Sequence, residues 1–213
     1  IKYLDPTLIL WRSSAQWVGG LFFLIFLIFL FSNKSFNYKM TNLTYSGESN
    51  FKSEENIKNS IIKIFFLYCI LSFIILTLLN ISGIRLFNSL NLMMTLVSSG
   101  GFLPTDNLNE IIKTNLQKII LMISLIISML NFYLIFNLFN KKILIKDHKE
   151  DLYLLIIVLI LVLIVYFNDF EWMNMAINVV SSLSNSGLTL IKNDNNLSLY
   201  FLLITILGGS LIS

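Results

Sequence analysis

Long apolar runs separated by short polar ones set the pattern of this chain. Apolar segments cover about Thr7 to Phe31, Ile61 to Leu79, Leu116 to Phe139 and Leu152 to Phe167, and a last one begins near Leu197. A bilayer crossing takes about 20 apolar residues, so these read as about five crossing helices, the fourth being the shortest. Between the long runs lie two shorter ones, Asn88-Ser-Leu-Asn-Leu-Met-Met-Thr-Leu-Val-Ser-Ser-Gly-Gly-Phe102 and Met173-Asn-Met-Ala-Ile-Asn-Val-Val-Ser-Ser-Leu-Ser-Asn-Ser-Gly-Leu188. Each predicts a half-helix that stops at small residues and turns back, a re-entrant segment. Non-helical backbone at membrane depth must be buried in protein or line a watery cavity.

The two short runs repeat one another. Aligning Gly101 with Gly187 also pairs Asn88 with Asn174 and Ser98 with Ser184. The repeated unit is therefore crossing helix, half-helix, glycine-ended extended loop, crossing helix. This divides the chain into residues 1–60, the end of a first unit and a loop; 61–150, a whole second unit; and 151–213, a third unit cut in its last helix. The chain starts at Ile1 and stops at Ser213 inside an apolar run, so it is expected to be an internal piece of a longer protein. Ile1 to Pro6 has no charged stretch leading into a cleavable apolar one, and no signal peptide is expected there.

Composition agrees with the pattern. Hydrophobic residues make up 56% and charged residues 13%, against about a quarter charged in ordinary soluble domains, and mean hydropathy is +0.78. The net charge of +3 comes largely from lysines between apolar runs, which bears on membrane orientation and not on nucleic acid. Lys34, Lys39, Lys52 and Lys58 lie in the polar stretch Ser32 to Ser60, and Lys141, Lys142, Lys146 and Lys149 in Lys141 to Glu150. The positive-inside rule puts both loops in the cytoplasm. Both half-helices then dip from the outer face. Arg12, flanked by Trp11 and Trp17, suits a snorkelling position at the interface. Cys69 and His148 are the only residues of their kinds; a packed thiol and a solvated loop histidine are the simplest accounts, and no transition-metal site is expected.

A half-helix whose C-terminus points to mid-membrane turns the negative end of its dipole toward a cation. Carbonyls of a following glycine-ended loop can replace a cation's hydration shell. Candidate carbonyl donors are Ser98, Ser99, Gly100 and Gly101 in the first loop, and Ser184, Asn185, Ser186 and Gly187 in the second. Asp106 is a candidate for raising cation concentration at the outer mouth.

At these residues the chain resembles the membrane subunit of Trk/Ktr/HKT potassium uptake transporters. Trp11-Arg-Ser-Ser-Ala-Gln-Trp-Val-Gly-Gly20 resembles the segment after that family's first pore loop, Ser99-Gly-Gly-Phe102 with Thr105-Asp106 its second filter, and Ser184-Asn-Ser-Gly-Leu188 its third. Gly208-Gly-Ser210 resembles the start of a gate loop beneath the third filter. The resemblance implies an all-α transmembrane fold of repeated helix–pore loop–helix units around one pore, formed with the remaining repeats of the full-length protein. It implies potassium as the transported ion with no cofactor, a multi-pass protein of the bacterial inner membrane, homodimerisation and a cytoplasmic nucleotide-binding regulatory subunit. Leu188, Leu21-Phe22 and Leu211-Ile212 depart from the family pattern at the third filter, after Gly20 and in the gate. A competing reading is a proton- or quinone-linked core subunit of a membrane redox complex. Proton-relay subunits need ionisable residues inside their crossings, and Lys63 and Lys118 fall near ends of the runs.

Overall fold

The computed structural model describes residues 5–32, 54–105, 107–129, 156–163, 172–190 and 200–206. Among these the chain is helical, with no strand. The five bounded helices are α1 (Pro6–Ser32), α2 (Glu54–Ile81), α3 (Leu86–Val97), α4 (Asn115–Met129) and α5 (Trp172–Leu183), with a short 3₁₀ turn at Leu108–Glu110. Residues 156–163 and 200–206 are also helical.

Two stretches, Pro6–Phe26 within α1 and Ile61–Ile81 within α2, are long and apolar enough to cross a membrane. The other expected crossings fall only partly on described residues. The first helix starts where the chemistry of its end dictates: the Asp5 carboxylate accepts from the Thr7 backbone N–H at 3.3 Å and from Thr7 Oγ1 at 2.9 Å, and Pro6 takes the first helical position, where no N–H is required. The second begins at Glu54, inside the stretch expected to be loop up to Ser60. No Pro or Gly interrupts the sequence from Glu54 to Ser82, so the polar residues ahead of Ile61 continue the helix beyond its apolar run. Gly83, with φ +85°, closes α2, its N–H donating to the Asn80 carbonyl at 3.0 Å, and the chain enters α3 at once.

The helix α3 sits against α1, α2 and α4, while α5 packs on α4. Leu92, Leu96, Leu121, Leu125, Ile75, Leu79 and Ile177 meet in one buried cluster. Around it the usual order is reversed: Trp11, Phe22, Phe23, Phe66 and Phe73 are all at least 60% exposed, while Ser89, Asn91, Thr95, Ser124, Asn178 and Ser181 are buried. In α5 every residue from Asn174 to Leu183 is buried. A helix without an exposed face belongs at the centre of an assembly.

The helices α1 and α2 are tied by a closed set of bonds. Trp17 Nε1 donates to Ser72 Oγ at 2.9 Å, Ser72 Oγ to the Tyr68 carbonyl at 2.8 Å, and Tyr68 Oη to the Trp17 carbonyl at 2.9 Å. The Trp17 and Tyr68 rings lie 5.1 Å apart. Polar bonds of this kind give two apolar helices a defined register, which apolar contact in lipid supplies poorly.

Candidate functional site

The half-helices α3 and α5 have 12 residues each, about 18 Å at 1.5 Å per residue, too short to span about 30 Å of hydrocarbon. Both end in the same way. Ser98 caps α3; the Gly100 N–H donates to the Thr95 carbonyl at 3.0 Å and the Ser99 N–H to the Leu96 carbonyl at 3.3 Å. After α5, the Ser186 N–H donates to the Ser181 carbonyl at 3.1 Å and the Asn185 N–H to the Ser182 carbonyl at 3.2 Å. These are Schellman ends, which need a left-handed residue just past the cap. Ser99 takes it with φ 52° and Asn185 with φ 54°; two residues on, Gly101 has φ 77° and Gly187 φ 65°. Serine and asparagine make the stop, and each glycine makes a second left-handed bend that sends the loop back.

The register pairing Gly101 with Gly187 extends to side chains. Thr95 Oγ1 donates to the Phe102 carbonyl at 2.6 Å, holding the returning strand of the first loop. Its counterpart Ser181 lies 3.0 Å, Oγ to Oγ, from Ser186, and Ser184 Oγ donates to Ser186 Oγ at 2.9 Å. Further along the second loop the Leu190 N–H donates to Asn178 Oδ1 at 2.8 Å. Asn109 Nδ2, in the 3₁₀ turn, donates to the Leu190 carbonyl at 2.7 Å.

The two loops touch. A Cβ on Gly101 would collide with the Ser186 carbonyl oxygen, whose C–O bond is directed at that space. The structure thus brings Gly101 and Ser186 together, with Ser98, Ser99 and Gly100 half-buried beside them and Ser184 buried. Asn185 and Gly187 lie on the exposed side of the second loop. Asp106 and Gly208, Gly209 and Ser210 lie outside the described residues.

One face of α1 runs along the first loop, a relation that sequence reading missed. Arg12 Nη2 donates to the Leu103 carbonyl at 2.9 Å, and the guanidinium sits 4.5 Å from the centre of the Phe102 ring. One turn on, Gln16 fills the space beside Gly100; one turn further, a Cβ on Gly20 would lie 2.9 Å from Tyr68 Oη and 3.0 Å from Ser98 Cβ. Arg12 thus reaches onto the first loop, a contact that the interface reading did not include. Its neighbour Trp11 is the one turned outward, 70% exposed. The signal in the sequence was the spacing Arg12, Gln16, Gly20, which puts one cation, one amide and one gap on a single helical stripe.

The arrangement offers two matching turns, rich in backbone carbonyls and hydroxyls and poor in charge, in contact with each other at Gly101 and Ser186. Dehydrated cations are bound by such oxygens. No protein-family model matches the chain. A curated protein of Methanocaldococcus jannaschii, named an uncharacterized cation transporter, is 26% identical over 222 aligned positions that take in 98% of this chain. The chain spans 44% of that relative's length. Across nearly all of its residues the chain is thus similar to a protein named for cation transport, and two of its helices are long and apolar enough to cross a membrane.

Proposed function

We propose that this chain forms part of the pore of a Trk/Ktr/HKT-like potassium uptake transporter in the plasma membrane. Potassium is coordinated by the backbone carbonyls of the two turns, Ser98 to Gly101 and Ser184 to Gly187, together with equivalent turns from the remaining repeats of the full-length protein. The observation that carries this reading is the pair of Schellman-ended half-helices with matching left-handed residues, meeting at Gly101 and Ser186. A substrate site built from backbone suits an ion that must shed its water, bind briefly and leave. Asp106 concentrates cations at the outer entrance, and Gly208 to Ser210 form a small-residue gate below. The protein works as a homodimer with a cytoplasmic nucleotide-binding subunit.

The test is expression of the full-length protein in cells lacking their own potassium uptake. Growth in low potassium should be restored, and potassium uptake should exceed sodium uptake in the same cells. Full-length protein that reaches the membrane and moves neither ion would overturn the reading.

A further inference from the structure

Gly100 is kept a glycine by a neighbour and not by its own backbone. Its φ lies outside the left-handed region, unlike that of Gly101 or Gly187, so its local conformation admits any side chain. Where a Cβ would project stands the Gln16 side chain, whose Nε2, Cδ and Cγ occupy that space, so an added side chain is accommodated only if Gln16 moves away. Gln16 Oε1 is buried without a hydrogen-bond partner among the described residues. An apolar side chain of similar size would fill the same space without burying an unmatched acceptor, so core packing alone does not account for a glutamine here. One turn before it Arg12 is hydrogen-bonded to the Leu103 carbonyl, and one turn after it Gly20 leaves the room that Ser98 takes.

We infer that Gln16 is a positioning residue for the first loop: seated against Gly100, its side chain fixes the backbone between Ser99 and Gly101 and with it the direction of the carbonyls on either side. This rests on the transport reading above, in which those carbonyls meet the ion. It makes α1 a splint for a loop it precedes by a whole helix–turn–helix unit.

A double-mutant cycle on the full-length protein tests it, with potassium and sodium uptake, membrane abundance and thermal stability in detergent as readouts. Gly100→Ala alone should cut potassium uptake by about tenfold or more and lower stability, because a methyl group and Gln16 compete for one space. Gln16→Ala alone should reduce potassium-over-sodium preference by about threefold to tenfold at normal abundance, a change that a merely structural residue would not produce. Gly100→Ala in the Gln16→Ala background should have little further effect on either readout, since the space is now free. Harm from Gly100→Ala that is equal in both backgrounds, or an unchanged ion preference in Gln16→Ala, would overturn the inference alone. Wild-type protein that moves neither ion would overturn the transport reading and this one with it.

Discussion

At Gly101 two constraints coincide, a φ of 77° and a facing carbonyl from Ser186. At Gly187 there is only the first, with φ 65° and no described atom within 4 Å of a Cβ. A side chain forced into the left-handed region costs about 1–2 kcal/mol, which both positions incur on substitution, but at Gly101 the backbone must also move off Ser186. We expect Gly101→Ser and Gly187→Ser both to lower potassium-over-sodium preference in flux assays on full-length protein at normal abundance, Gly101→Ser the more. Each 1.4 kcal/mol of lost discrimination is about tenfold in the ratio. Unchanged ratios in both variants would leave the two glycines as turn residues only. The importance of these glycines was legible in the sequence because they recur in register. The reason for Gly100 was not, since it lies in Gln16, far away along the chain.

The helices show a similar split between local and distant causes. The start of α1 and the ends of α3 and α5 were readable, since Pro, Ser and Gly act on their own backbone. Which small residue takes the left-handed cap was not readable, since glycine, the commoner residue there, follows both Ser99 and Asn185. Also overlooked was Thr114-Asn-Leu-Gln117, a capping box for α4. Gln117 Oε1 accepts from the Lys113 N–H at 2.8 Å and the Thr114 N–H at 3.2 Å, and Thr114 Oγ1 accepts from the Gln117 N–H at 3.3 Å. The same amide donates through Nε2 to the Ser82 carbonyl at 3.3 Å, joining the start of α4 to the end of α2. Losing a cap typically costs about 1 kcal/mol. Gln117→Ala should therefore lower the temperature at which purified full-length protein loses its monodisperse form, with ion preference unchanged because Gln117 touches neither loop. A shift in ion preference would mean that α4 controls the loops more directly than its contacts indicate.

For the molecule as a whole, lysine-rich connections and an apolar outer surface bear on the same question of orientation. Phenylalanines cover the outside of α1 and α2, while Ser13 and Ser72 are buried within. We expect the regions of Glu54 and Lys146 to face the cytoplasm and those of Asn107 and Asn193 the outside. Single cysteines at these four positions, in a Cys69→Ser background, should react with an impermeant thiol reagent only at positions 107 and 193. Labelling of position 146 in intact cells would invert the molecule, and the two loops would then open inward.

The long-range hydrogen bonds described to the loops run in one direction along the chain, from Arg12 to Leu103 and from Asn109 to Leu190. During synthesis, then, each loop leaves the ribosome after the residue that will hold it. Arg12 has already been made when Leu103 emerges, and Asn109 when Leu190 does. For these two hydrogen bonds, neither loop has to wait for a later segment to supply the side chain that holds it. The interval in which an open backbone faces hydrocarbon is shortest where its exposure would be most unfavourable.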